Sequence, residues 1–463
     1  MRASQEDRLA PPIVLRGAGS AWLGSAQDRR LAHGVDLVLE GGRVTHVGVS
    51  APRPPGARVV DASAWLVMPG LVNAHHHLSQ QLTRGRAAGH GVIEWLAALY
   101  PAWSRTTADV ALDGARVGLA ELVLTGVTTV ADLTYFYPRG HADIFDAQVQ
   151  AARDIGCRML AVRGGLRDIG DGVRRLIGDG VSSSLESAET LLAEIERVAD
   201  AYHDPSPSAM LKVGIGLHEP LWNEPELMRD LADLGRGRGL RLHTHLHPRP
   251  SDLVAVGDAG VVGALDQTGW WGEHVWIAHG TGLRAPEIAS MVQSGVALAT
   301  CPSSNARLGS PIAPARALHR AGGMVGVGVD GAASNDSGDF LGECRLTWQM
   351  QRIGAVDDPA AEPFPPELVL GWATDGGAKA LCWPGLGEII PGGVADIACF
   401  DLSTLDYAGM ADPMSGLLLC GTQHRASFVV VAGEVVVEDG TLARMDEEQV
   451  ARAGHAAARR LWN

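Results

Sequence analysis

Eight short apolar segments, separated by stretches with helical periodicity, constrain this chain more than any other feature. They fall at residues 67–73, 127–132, 159–163, 211–217, 240–245, 275–279, 296–300 and 325–330. Their richness in Val, Ile, Leu and Ala suits strands buried on both faces. Amphipathic stretches lie between most of them, for example at 110–124, 185–202 and 224–234. Strands alternating with helices read as parallel βα units, and eight such units close into a (β/α)₈ TIM barrel. The expected class is therefore α/β, with the barrel spanning 68–381.

At 463 residues the chain has room for more than a barrel. Short strand signatures at 13–15, 35–39 and 43–47 surround the turn Glu40-Gly41-Gly42, which is a hairpin pattern. Matching signatures return at 395–400, 427–431 and 434–437, the last two joined by Ala432-Gly433. Both ends together predict one small β-sandwich, built from 1–67 plus 382–463.

Composition removes several classes of function. The formal charge of −15 opposes binding to nucleic acid or an anionic membrane surface. No apolar run approaches the roughly 18 residues needed to span a bilayer. Residues 1–27 are polar, are broken by Pro11-Pro12, and do not read as a signal peptide. The six cysteines are scattered without a CxxC pair and suit reduced thiols. A cytoplasmic protein is expected.

Chemistry enters with Asn73-Ala74-His75-His76-His77, directly behind the first apolar segment. Side chains alternate along a strand, so His75 and His77 share a face while His76 points away. Two imidazoles on one face at a strand end can share a divalent metal. Barrel enzymes place their chemistry at the C-terminal strand ends. Those ends here carry His75 and His77, Asp132, Arg163, His218-Glu219, His243-Thr244-His245, His279-Gly280, Cys301-Pro302-Ser303-Ser304-Asn305 and Asp330-Gly331. Polar and metal-binding types thus gather at one rim.

These motifs, with Pro69-Gly70-Leu71-Val72 before the histidines and Gly393-Val394-Ala395-Asp396-Ile397-Ala398 near the end, resemble the amidohydrolase superfamily. The likeness covers nearly the whole chain. It is narrowest to the branch of 8-oxoguanine deaminase, isoxanthopterin deaminase and the s-triazine hydrolases. The resemblance implies that His75, His77, His245 and Asp330 hold one Zn²⁺, or alternatively Fe²⁺, which lowers the pKa of a bound water toward ~7. It makes Asp330 the general base and His279 a hydrogen-bonding partner of the attacking oxygen. Gln80 matches a glutamine that contacts the heterocycle, and Arg163 an arginine that contacts a substrate carbonyl. Asn335 is a further candidate for substrate contact. Relatives of this barrel type are commonly dimers or larger, so a homo-oligomer acting on a small heterocycle is implied.

Each residue also has a plainer reading. His76 suits a structural role, and His243, deeper on the strand than His245, suits packing or support of a ligand. Asp132 and Arg163 could form an internal ion pair. Cys301 suits an apolar thiol behind the pocket, and Asn335 with Asp336 could cap the helix after strand eight.

One departure from the family pattern matters. The deaminases carry a glutamate three residues after the strand-five histidine, which protonates the ring nitrogen. Here His245-Leu246-His247-Pro248 puts a proline there. General acid catalysis is typically worth ~10²–10⁴-fold, so another group is expected to take over. Glu219 and His247 are the candidates, Glu219 preferred, its alternative being a solvated loop residue. The leading expectation is a metal-dependent aminohydrolase that releases ammonia from a pterin-, oxopurine- or triazine-like ring. The second is hydrolysis of a cyclic amide or amidine, or of another leaving group, which Pro248 favours. The third is a metal-binding pseudoenzyme.

Overall fold

The computed structural model describes residues 11–24, 28–167, 177–247, 260–354, 363–421 and 424–462. At its centre is a closed parallel barrel whose strands neighbour one another in chain order. They are β1 (Leu71–His76), β2 (Val127–Thr134), β3 (Arg158–Arg163), β4 (Leu211–Leu217), β5 (Arg241–Leu246), β6 (Val275–His279), β7 (Ala297–Thr300) and β8 (Val325–Val327). Strand β8 closes on β1 through Val327 and Asn73. Every expected segment carries a strand, because strands covered on both faces must be apolar throughout.

Helices Ala108–Leu124, Ala188–Tyr202 and Pro225–Arg238 stand where helical periodicity placed them. In Ala188–Tyr202 the buried residues Leu191, Ile195, Val198 and Ala199 form one stripe, and Ser187 accepts the Thr190 amide at its start.

The first segment differs from expectation. The run 67–73 is not one strand. It divides at Gly70 into Trp65–Pro69, which belongs to another sheet, and β1. Any side chain at Gly70 would collide with Thr128, whose Oγ1 lies 2.2 Å from an added Cβ. The Gly70 amide is drawn to the Asp396 carbonyl at 2.8 Å, which turns the chain from one sheet into the other.

Strands from both chain ends share that second sheet, of seven strands. Trp65–Pro69 pairs antiparallel with Ile397–Asp401, which continues through Phe428–Val431 to Glu434–Glu438. A four-stranded sheet contains Ile13–Ala18, Val35–Glu40, Arg43–Gly48 and Arg58–Asp61. Its Leu15, Leu37 and Leu39 form one buried cluster with Val67, Ile397 and Phe428 of the larger sheet. The predicted sandwich is present. Gly41 and Gly42 both have positive φ (59° and 75°), as the tight hairpin turn requires.

Two other features depart from expectation. The helix after strand eight, Phe340–Ile353, is capped by Asp339, which accepts the Gly342 amide, and not by Asn335 or Asp336. The chain ends in a helix, Glu447–Trp462, whose Ala457 and Leu461 pack with Val110 of the helix Ala108–Leu124.

Candidate metal centre and active site

Four strand ends converge on one point. β1 delivers His75 and, just past its end, His77; β5 delivers His245; β6 ends on His279; Asp330 follows β8. All five side chains are buried. Asp330 Oδ1 lies 3.2 Å from Nε2 of both His75 and His77, and Oδ2 lies 3.9 Å from His279 Nε2. Nε2 of His77 and His245 are 3.0 Å apart.

His279 and Asp330 have φ of 68° and 61°. A non-glycine residue in the left-handed region costs about 1–3 kcal/mol and persists only where its surroundings enforce it. Around Asp330 those surroundings are visible: its amide donates to the His75 carbonyl (3.1 Å), and the preceding Val329 amide donates to Asn73 Oδ1 (3.0 Å).

Hydrogen bonds behind the rings decide which nitrogens face the centre. His77 Nδ1 donates to the Leu133 carbonyl at 2.6 Å, and His245 Nδ1 to the His218 carbonyl at 2.5 Å. His279 Nδ1 donates to Asn305 Oδ1 at 2.9 Å. His243 Nδ1 donates to the Trp276 carbonyl at 2.9 Å, so its Nε2 accepts from His75 Nδ1 at 2.8 Å. In the neutral rings every proton therefore sits on Nδ1, and the four Nε2 atoms of His75, His77, His245 and His279 point inward as bare lone pairs. Burial keeps the rings neutral. It pushes His75 well below 6.5, lowers His77, and brings His245 and His279 down to about 4.

Lone pairs facing one another and a carboxylate across about 3 Å repel unless a cation lies between them. Ligand atoms of His75, His77 and His245 lie within 4.8 Å of one another, as do those of His75, His279 and Asp330. His75 Nε2 has no hydrogen-bond partner. Imidazole and carboxylate donors with Nδ1–H anchored behind them are the set a divalent cation of the zinc type takes. The residues fit the metal.

A cavity opens above this point, walled by Trp95, Leu96, Tyr135 and Trp222, with Gln80, Glu219 and His247 on its surface. Gln80 donates to the Tyr135 hydroxyl at 3.0 Å, while its Oε1 is buried without a partner. Gly331 leaves room for this rotamer, since an added Cβ would lie 2.0 Å from that Oε1 and displace the Gln80 amide. Glu219 ends the strand β4 approach and starts the short turn Pro220–Trp222. His247 packs against His279 with the rings tilted by 35° (centroids 4.0 Å apart) and bonds Thr281 Oγ1 at 3.1 Å. Burial, then the neighbouring His279 and His245, push His247 well below 6.5.

Two expected substrate contacts are engaged elsewhere. Arg163 is fully buried, pairs with Glu186 at 2.7 Å and lies over the Tyr137 ring at 3.6 Å. Its partner is thus Glu186 and not Asp132, which accepts the Leu78 amide at 2.6 Å. Asn335 donates to the Val329 carbonyl (2.7 Å) and to Glu343 Oε2 (3.0 Å). Neither residue is on the cavity wall. Pro248 lies outside the described residues. His76 is buried, and burial brings it to about 3; Cys301 is buried off the cavity. The sequence reading missed Tyr135, Trp222 and Ser334, whose hydroxyl donates to Asp330 Oδ2 at 2.9 Å. Tyr135 and Trp222 each follow a strand end closely, which is the signal that could have found them.

Known proteins carry the same organisation. The sequence pattern of the amidohydrolase family matches residues 66–441. The 8-oxoguanine deaminase of Pseudomonas aeruginosa is 38% identical over 441 residues, covering 92% of this chain and 96% of that protein. The isoxanthopterin deaminase of an unknown prokaryotic organism is 34% identical over 480 residues, covering 97% of both. Among solved structures, atrazine chlorohydrolase from Arthrobacter aurescens, complexed with zinc, superposes with a TM-score of 0.89 at 30% identity over 96% of this chain and all (100%) of that one. With a barrel, a rim of inward lone pairs and a family match across most of its length, this chain belongs to the amidohydrolase family.

Proposed function

We propose that this protein is a metal-dependent aminohydrolase that adds water to an sp² carbon of a nitrogen heterocycle and releases ammonia. The substrate is a pterin-, oxopurine- or triazine-like ring. The observation that carries this reading is the convergence of four bare imidazole nitrogens and Asp330 beneath an aromatic cavity. His75, His77, His245 and Asp330 would hold one divalent cation, Zn²⁺ in preference to Fe²⁺. When bound, it supplies the Lewis acidity that lowers the pKa of water toward about 7.

The chain's own residues do the rest. Asp330 takes the proton of the attacking water and returns it to the leaving amine. His279, fixed by Asn305, accepts a hydrogen bond at Nε2 from the attacking oxygen. Gln80 Oε1, buried without a partner, offers an acceptor to an N–H of the amidine. No Lys or Arg lines the cavity among the described residues, so its wall offers no cationic side chain to an anionic ring. Arg163, spent on Glu186, has no part in this contact, and Asn335 supports the loop after β8.

Protonation of the ring nitrogen falls to Glu219. His247 is the weaker candidate, because burial beside His279 leaves it neutral at working pH. Loss of the family acid at Pro248 favours a second reading, in which a cyclic amide, an amidine or a better leaving group is displaced. A pseudoenzyme would not keep the whole ligand set with its supports.

In this reading 68–381 is the catalytic unit and 1–67 plus 382–463 the accessory sandwich. All six cysteines are free, in keeping with a reducing, cytoplasmic setting, and no helix among the described residues is long and apolar enough to cross a membrane. Assembly as a homo-oligomer is proposed from the family resemblance alone. The test is ammonia release by zinc-loaded protein across aminopurines, oxopurines, pterins, isocytosine and aminotriazines, with Asp330→Asn as the blank. Turnover that vanishes in the blank and falls about 10²-fold in Glu219→Gln supports the account. Silence across the panel moves the assignment to the second reading, and full activity in both Glu219→Gln and His247→Ala removes the proposed acid.

A further inference from the structure

His77 and His245 reach backbone carbonyls directly, but His75 relies on another side chain. That side chain, His243, precedes His245 by two positions on β5 and shares its face one step deeper in the barrel. Its ring stacks on Trp276 of β6, with centroids 4.1 Å apart and planes inclined by 13°. Its Nδ1 donates to the Trp276 carbonyl, and the Trp276 indole in turn donates to the Ala74 carbonyl at 3.1 Å. The loop closes through β1, β5 and β6, with His75 at its apex.

Without the acceptor at His243 Nε2, the His75 ring has a competing arrangement. Its proton can move to Nε2 and bond Asp330 Oδ1, which stands 3.2 Å away. That tautomer satisfies the carboxylate, leaves no lone pair facing the centre, and destroys His75 as a ligand. We propose that His243 is a positioning residue that locks His75 in its Nδ1–H tautomer and thereby sets the metal affinity of the site.

This rests on the metal-site reading above. If wild-type protein takes up no zinc, that reading fails; if it takes up zinc but the lock is absent, only this inference fails. The variants are His243→Phe, which keeps a ring against Trp276 but removes the acceptor, and His243→Gln, which restores an acceptor. The readouts are zinc loss to a chelator and the visible spectrum of the Co²⁺-loaded protein. Loss of such support typically costs 10–100-fold in metal affinity. The expected result is zinc bound about 10–100-fold more weakly in His243→Phe, with an altered Co²⁺ spectrum, and recovery toward wild type in His243→Gln. Equal zinc retention in folded His243→Phe, or equal impairment of both variants, overturns the proposal.

Should His243→Phe not fold, metal-free wild-type protein with ¹⁵N-labelled histidine decides the matter alone. Nitrogen shifts that place the His75 proton on Nδ1 uphold the lock, and a proton on Nε2 overturns it.

Discussion

Two buried polar clusters, one at each end of the barrel, are built on opposite terms. At the start of β3, Arg158 meets Asp396 through Nε to Oδ2 (2.6 Å) and Nη2 to Oδ1 (3.1 Å). Its Nη1 donates to the Ser208 and Ala209 carbonyls, and Asp396 also accepts the Ala432 amide. Donors meet acceptors, and barrel and sandwich are fastened together. At the other end, four imidazole lone pairs face a carboxylate and one another, and His75 Nε2 has no partner. A buried group left uncompensated costs stability, so it persists where function uses it. Arg163, at the functional end of the same strand, belongs to the first kind: its charge is answered by Glu186. Position at the rim is therefore a poorer guide to chemistry than whether a group's partners are already in place.

The largest expected effect breaks this comparison most openly. Arg158→Met leaves Asp396 charged and buried, and should cost about 3–5 kcal/mol in urea unfolding. Asp330→Asn, made in metal-free protein, removes a charge that faces lone pairs and should cost less than about 1 kcal/mol. Equal losses would show that both ends are compensated alike.

A pH series sharpens the contrast. The folded-state pKa of His245 and His279 is about 4, below the unfolded value near 6.5. The unfolded chain therefore binds more protons in that window, and metal-free protein should lose stability as pH falls from 6.5 toward 4. Each histidine contributes a slope of up to about 1.4 kcal/mol per pH unit, and His279→Asn should flatten the curve.

An effect of opposite sign is expected at Glu343, which accepts the Ser303 amide and Asn335 Nδ2 and which burial raises to about 8. Its folded form keeps a proton that the unfolded chain has released above about 4.5, so it should erode stability as pH rises from 4.5 to 8. Glu343→Gln should remove that decline, whose slope reaches at most about 1.4 kcal/mol per pH unit.

Much of this was legible in the chain. Strands covered on both faces must be apolar, so eight runs announced eight strands, and the polar residues that ended them announced the rim. What stayed hidden depends on distant partners. The run 67–73 is continuous in sequence, yet it serves two sheets because Asp396 and Thr128 meet it at Gly70. Arg163 stands at a strand end like the candidate metal ligands, and only Glu186 and Tyr137 show that it is occupied. The dependence of His75 on His243 spans 168 positions and two strands. The left-handed backbone of His279 and Asp330 has no sequence signal of its own.

The most direct test of the central claim is a zinc titration of metal-free protein, followed by stoichiometry and thermal unfolding. One ion per chain is expected, with stability raised by about 2.7 kcal/mol at 100 times Kd and uptake weakened by Asp330→Asn. No saturable uptake, or uptake indifferent to Asp330, would contradict a metal centre built from these residues.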